Sequence, residues 1–387
     1  MPPKPFSIHV EQSVLDDLKT RLQRTRWPDQ ENSAEWSMGT NLEYLKKLVD
    51  YWQGQYDWRK HEAELNKLPQ FTANVDGTTL HFVHVKSNKP NALPLLLLHG
   101  WPDGFYRYQK VIPMLSDADM PFDVIVPSLP GHGFSDRKPA ASAVVADLYA
   151  KLMVEILGYK KFFAAGGDHG SIVARALTRQ HADKVIAIHL TDVGYPRGNE
   201  DFSTMTKDEQ EFARFVQQWW MVNGAYAMVH ATKPQTIAPA LNDSPVGLAS
   251  WIISMIDIGS ASHDVESAFG GRDMLLTNIT IYWVTQTAGS AARMYLHEAR
   301  ASYGPNGPIP ETKSKTPVGV TLFPREAQFP KEWAERTLNV QRYVKMPRGG
   351  HFAPLEEPVL YTKTLQEFFV RYRWTINKLE PALTTEL

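Results

Sequence analysis

Apolar and polar positions change rhythm along the chain, and the changes divide it into four expected segments: 1–70, 71–193, 194–316 and 317–387. In the first, apolar residues recur at helical spacing. Leu15, Leu18 and Leu22 follow Ser13, which is expected to cap the helix, and Trp27-Pro28 is expected to stop it. Leu42, Leu45, Leu48, Val49 and Trp52 make the apolar face of a second helix, and residues 57–68 read as a third. Trp27, Trp36, Trp52 and Trp58 are a heavy indole load for a free arm, so this region is expected to pack on the main body.

From Phe71 the period falls to two. Residues 71–75 and 80–85 flank Asp76-Gly77, the signature of a hairpin. The runs 93–98, 122–126, 161–167 and 185–190 are then apolar throughout and separated by helical stretches, which implies a parallel sheet covered by helices on both faces. After Val193 the alternation breaks. Residues 210–229, 244–258 and 277–300 read as helices rich in Trp, Tyr, Met and Ile, followed by a proline-rich linker over 303–317. This segment reads as an inserted lid. Strands resume at 318–323 and 340–346, and a helix over 360–372 closes the pattern.

Composition narrows the class. The 387 residues are 43% hydrophobic and 21% charged with a formal net charge of -1, which gives no electrostatic reason to expect nucleic acid or an anionic membrane as partner. The absence of cysteine excludes disulfides, thiolate catalysis and zinc-cysteine sites. No apolar run approaches the roughly 18 residues of a membrane span, and the proline-rich start lacks a signal-peptide core, so a cytoplasmic enzyme is the expectation.

The chemistry centres on residues 162–171, FFAAGGDHGS, where a strand, a sharp turn and a helix meet at Asp168. In hydrolases built on a parallel sheet that turn carries the nucleophile, and Gly166 and Gly170 leave room for its backbone. Here the exposed residue is a carboxylate, and no G-x-S-x-G occurs elsewhere, so a serine esterase lacks its nucleophile. His351 in Gly349-Gly350-His351-Phe352 follows the last expected strand, where the order nucleophile, acid, histidine places the base. Two acids compete to orient it: Glu326, after the strand ending at Phe323, is preferred over Asp192, after the strand ending at Leu190. The main-chain N–H groups of Trp101 and His169 are candidate oxyanion donors.

Taken together, LKTRLQRTRWP (18–28), YWQGQYDWRKHEAEL (51–65), HGWP (99–102), GGDHGS (166–171), TKPQTIAPALNDSPVGLASW (232–251) and GGHFAPLEEP (349–358) closely resemble epoxide hydrolases of the α/β-hydrolase fold, in the branch of the microsomal, fungal and juvenile hormone enzymes. The resemblance implies Asp168 as nucleophile, His351 as base, Glu326 as its acid, and two lid tyrosines, Tyr226 and Tyr295, that activate the oxirane without metal or organic cofactor. Phenols remain protonated at neutral pH and suit that task, although Tyr282 is a further candidate. The expected partners are a hydrophobic epoxide and water, with a homodimer left open. Trp219, Trp220, Trp251 and Trp283 are candidate pocket walls or core.

Two positions depart from the family pattern. His169 stands where Trp usually follows the nucleophile, and Asp103-Gly104 where Gly-Ser usually follows HGWP. The vertebrate microsomal member also has a membrane anchor, for which this chain shows no counterpart. A dehalogenase using the same Asp, His and acid is the alternative, disfavoured by the phenols, and a ligand-binding relative without turnover is another.

Overall fold

The apolar runs build one sheet. In the computed structural model, which describes residues 2–373 except 32–33, 199, 261–262, 305–306 and 309–310, the chain begins with strand β1 (Lys4–Phe6) and helices α1 (Gln12–Gln23), α2 (Leu42–Gly54) and α3 (Trp58–Leu65). Parts of the linker expected over 303–317, and the end of the segment expected to reach 387, lie outside the described residues. The Asp76-Gly77 hairpin joins β2 (Gln70–Val75) to β3 (Thr78–Val85). Strands β4 (Leu93–Leu98), β5 (Phe122–Pro127), β6 (Phe162–Gly166) and β7 (Val185–Leu190) follow, connected through α4 (Val111–Ser116), α5 (Ser142–Lys151) and α6 (His169–Gln180).

Seven helices come next: α7 (Lys207–Asn223), α8 (Ala225–Thr232), α9 (Pro234–Asp243), α10 (Pro245–Ile258), α11 (Val265–Ala268), α12 (Arg272–Thr285) and α13 (Ala288–Ser302). A short ladder, β8 (Tyr303–Gly304) with β9 (Gly307–Pro308), precedes β10 (Pro317–Leu322). After α14 (Lys331–Glu335) and β11 (Asn339–Lys345) come α15 (Ala353–Glu356) and α16 (Pro358–Phe369), the last running into a 3-10 turn at Val370–Tyr372.

The nine-stranded sheet has the order β1-β2-β3-β5-β4-β6-β7-β10-β11. It is antiparallel from β1 to β5 and parallel from β5 to β11. Every residue of β4 and β6 is buried, as central strands covered on both faces require. Successive side chains supply opposite cores: Leu96, Leu98 and Ala164 join one apolar cluster, Leu95, Leu97, Phe163 and Ala165 the other. Both strands end at the same sheet edge, where ligands of open parallel sheets bind.

Local chemistry moved several helix ends. Ser13 is not the cap of α1; Glu11 precedes the helix without a side-chain cap bond, and Ser13 lies in the first turn. That helix ends before Trp27-Pro28 because the Thr25 hydroxyl takes up the Leu22 carbonyl at 2.8 Å. The helix expected over 210–229 is two, broken at Gly224, and that over 277–300 is also two, broken where Gln286 adopts a left-handed backbone with φ 53. Helix α9 was not among the helices expected from the sequence; Pro234 occupies its first turn, where proline is favourable.

Helices α1 and α2 pack on α10, and α3 packs on α12. Polar bonds reinforce this. Arg21 Nη1 donates to Asp243 Oδ1 at 2.7 Å, Thr40 Oγ1 to the Ser250 carbonyl at 2.7 Å, Tyr44 to Glu266 at 3.2 Å and Tyr51 to Asp273 at 2.8 Å. The N-terminal helices thus grip the helical segment between β7 and β10.

Candidate active site

Asp168 occupies the turn between β6 and α6 with φ 53 and ψ −135, a conformation that costs a non-glycine residue on the order of 1–3 kcal/mol. Close packing of the neighbouring backbone holds it there. A Cβ added to Gly170 would lie 2.2 Å from the Leu98 carbonyl oxygen, and one on Gly100 would lie 2.1 Å from Asp168 Oδ1. Neither glycine can carry a side chain while the turn keeps its shape. The Ser171 hydroxyl and amide both donate to the Asp168 carbonyl, at 2.7 and 2.9 Å.

The turn presents a carboxylate whose two oxygens have different surroundings. Trp101 N–H donates to Oδ1 at 2.9 Å, and the His169 amide also bonds the carboxylate. Oδ2 lies 3.9 Å from His351 Nε2. Glu326 stands on the far side of that imidazole, its Oε1 2.9 Å from Nδ1, with the approach bent from the ideal hydrogen-bond line. Asp168 and His351 each keep 21% of the side chain accessible, whereas the Glu326 side chain keeps 6%. Asp192, the competing acid, accepts the Gly194 N–H at 2.7 Å and has no contact with His351 recorded among the described residues.

Electrostatics follows from that line. Burial alone would raise the pKa of Asp168, but the His169 and His351 imidazoles and the amides of His169 and Trp101 prevail and hold it below the ordinary carboxylate value. For His351, burial favours the neutral ring, yet the charge and hydrogen bond of Glu326, then the charge of Asp168, push the pKa up to about 9. Asp192 is raised to about 6, by burial and then by the neighbouring Glu326 charge. An imidazolium facing an ionised carboxylate is therefore the resting state at neutral pH.

Two phenols come from the helices between β7 and β10, and both rings pack against Trp101, whose amide holds the Asp168 carboxylate. Tyr226 comes from α8 and Tyr295 from α13, with ring centroids 6.1 Å apart. Tyr226 stacks on Trp101 at 5.3 Å and 13°, and Tyr295 meets the His169 ring edge-on at 4.5 Å. Burial first, and the Asp168 charge with it, raises both phenol pKa values, so both stay protonated. Tyr282 is engaged elsewhere, donating to the Asp103 carbonyl at 2.8 Å.

The tryptophans divide. Trp251 donates its indole N–H to His230 at 3.1 Å, and His230 in turn packs 5.1 Å from Tyr295. Trp219 and Trp220 contact each other on α7, where Trp220 reaches Tyr195 and is 36% exposed. Trp283 is not brought to the site. It is buried beneath Arg21 and lines a groove of about 1000 Å³ between α1 and α9.

Sequence reasoning missed His230 and Arg107 near the site and noted Asp103 only as a departure from the family pattern. His230 lies one turn beyond Tyr226 on the same helix face, a spacing that could have flagged it. Asp103 and Arg107, four positions apart in an apolar stretch, form a buried ion pair behind the Trp101 loop. No group of three or more His, Asp or Glu residues is placed to hold a metal ion among the described residues, and none of their helices is long and apolar enough to cross a membrane.

Comparison with known proteins places this geometry in context. Residues 3–108 match the family model described as the epoxide hydrolase N terminus, and residues 94–239 match that of the alpha/beta hydrolase fold. The chain is 40% identical to a provisionally named epoxide hydrolase of Stigmatella aurantiaca, over 95% of this chain and 85% of the relative. It is 32% identical to epoxide hydrolase 1 of Sus scrofa, over 94% and 88% respectively. The solved structure of Aspergillus niger epoxide hydrolase superposes with a TM-score of 0.83 at 28% identity, covering 96% of this chain and 97% of the other.

Proposed function

Because the chain belongs to the epoxide hydrolase family, enzymes of the α/β-hydrolase fold, we propose that it opens a hydrophobic epoxide to a vicinal diol in two steps through an ester on Asp168. The observation that carries this reading is the convergence on the Asp168 carboxylate of His351, 3.9 Å from Oδ2, and of Tyr226 and Tyr295, whose rings pack against the Trp101 whose amide holds Oδ1. In this reading residues 194–316 form the lid that delivers those phenols.

In the first step Asp168 Oδ2, the oxygen free of Trp101, attacks a ring carbon. The carbon–oxygen bond breaks, its electron pair stays on oxygen, and a phenol supplies the proton. Paired phenols suit an alkoxide, whereas a departing halide calls for indole or amide donors, so they support the epoxide over a haloalkane. The product is an ester whose carbonyl oxygen, Oδ1, already sits at the Trp101 amide.

Ester formation removes the Asp168 charge, one of the influences that raise the His351 pKa. The burial penalty then weighs more heavily, and the imidazole moves toward the neutral form a base requires. His351 takes a proton from water as that water attacks the ester carbonyl. The Trp101 and His169 amides hold the tetrahedral oxyanion, a contribution worth about 100-fold or more per donor. Collapse returns that proton to the departing diol oxygen, and the proton left on the Asp168 carboxyl makes good the one the phenol gave up in the first step, so that carboxylate and phenol are both restored.

Repeated turnover of an aryl epoxide in 18O-water tests the proposal. Label is expected in the Asp168 carboxylate; diol formation with an unlabelled carboxylate would rule out the ester.

A further inference from the structure

Asp103 and Arg107 are both almost wholly enclosed, at 1% and 2% exposure, and their ion pair closes at 2.6 Å. Neither reaches the substrate side of Asp168. Their partners are main-chain groups of two catalytic loops. Asp103 Oδ1 accepts the Gly100 N–H at 3.2 Å, one residue before the Trp101 amide that holds Asp168. Arg107 Nη2 donates to the main-chain carbonyl of His351 at 2.9 Å. The Asp103 carbonyl accepts the Tyr282 hydroxyl at 2.8 Å, and Asn278 donates to the Pro102 carbonyl at 2.8 Å, so α12 braces the same loop.

A buried ion pair seldom repays the desolvation of its charges in stability, so bulk stabilisation is a weak reason for placing one here. This pair is also incompletely satisfied, since Arg107 Nε has no hydrogen-bond partner. What the pair does provide is a rigid link of fixed length between loops that leave different strands, β4 for Trp101 and β11 for His351. Both loops must converge on one ester carbonyl, and a displacement of about 1 Å can cost about 100-fold in rate.

We infer that Asp103 and Arg107 are positioning residues that hold the Trp101 oxyanion donor and the His351 base at a fixed separation for ester hydrolysis. The inference rests on the two-step reading above. It assigns the pair to the second step, because alkylation relies on Asp168 and the phenols, whereas hydrolysis needs the amides and the base together. The Asp103 carboxylate also offsets the Arg107 charge next to His351; without it the guanidinium disfavours the imidazolium.

The test compares Asp103→Asn with the double variant Asp103→Asn/Arg107→Gln, which leaves no isolated buried charge and guards against simple misfolding. Rapid-quench measurement of both steps is expected to show ester hydrolysis slowed by about 100-fold in Asp103→Asn, with alkylation changed by less than about threefold. The double variant is expected to lie between it and the parent enzyme. Equal slowing of both steps, or unchanged hydrolysis in a folded variant, overturns the inference. A second readout needs no ester: the His351 titration followed by NMR of 15N-labelled histidine should move to lower pH in Asp103→Asn. If the parent enzyme forms no ester, the two-step reading fails and takes the assignment to ester hydrolysis with it; if the ester forms and the titration is unmoved, the two-step reading stands and the positioning role is overturned.

Discussion

The carboxylate side of the site and the phenol side are built on different principles. The Trp101 amide, Asp168, Glu326 and His351 stand on turns that leave the parallel strands β4, β6, β10 and β11 of one sheet, and close packing fixes the first two: Gly170 against the Leu98 carbonyl, Gly100 against Asp168 itself. Tyr226 and Tyr295 stand on helices, held by ring contacts with Trp101, His169 and His230. Their helices belong to a segment gripped from outside by Arg21, Thr40, Tyr44 and Tyr51. The strand side has no slack to absorb a change. The helix side has side-chain freedom, so substitutions there should alter one step and leave the other running.

The sharpest break should come on the strand side. Replacing the base, His351→Gln, is expected to leave a first-turnover burst and slow ester hydrolysis by roughly 10⁴-fold, with the alkylated protein detectable by intact mass. Glu326→Gln should cost less, about 10 to 100-fold, and change the pH dependence. Glu326 is the main influence raising the His351 pKa against burial, so its loss moves that pKa below about 9. The imidazole is then neutral at lower pH, and the rising limb of the hydrolysis profile shifts to the acidic side even though the maximum falls. Stability follows the same sign. A folded-state pKa above the unfolded 6.5 stabilises the fold below that value and loses the contribution as pH rises through about 9. Urea unfolding across that window should show the decline in the parent enzyme and a shallower one in Glu326→Gln; an identical slope in both would argue against Glu326 as the controlling charge.

On the helix side, Tyr226→Phe and Tyr295→Phe are each expected to slow alkylation by about 100-fold while ester hydrolysis in pre-alkylated protein changes little. If either substitution slows hydrolysis as much as alkylation, the division between the two sides collapses.

The same contrast explains what the sequence made legible. All eight expected strands are present: the hairpin pair shows by its period of two, and central strands covered on both faces announce themselves by composition and end at turns with their own motifs. The residues on those turns could be assigned from order alone. The helical segment gave less. Gly224 and Gln286 split two expected helices, and α9 was not among those expected. Helical spacing cannot say which of several tyrosines turns inward, so Tyr226 and Tyr295 rested on family resemblance rather than on pattern. Asp103 was noted only as a departure from the family pattern and Arg107 escaped altogether, because only the tertiary fold shows both enclosed between two loops.

The finest test lies within the tryptophans, which the sequence grouped and the structure separates. Trp251 is wired to the phenol side through His230, and Trp283 fills the contact between the N-terminal helices and α12, under Arg21. Trp251→Phe removes the indole donor to His230 and loosens the ring behind Tyr295, so KM should rise a few-fold, roughly the worth of one hydrogen bond, with the melting temperature little changed. Trp283→Phe removes buried volume without touching the site. It should lower stability by about 1–2 kcal/mol in urea and leave KM and both steps unaltered. Should Trp283→Phe instead slow alkylation, the grip of the N-terminal helices on the helical segment would be setting the phenols as well as anchoring them, and the two sides of the site would be mechanically coupled through α12.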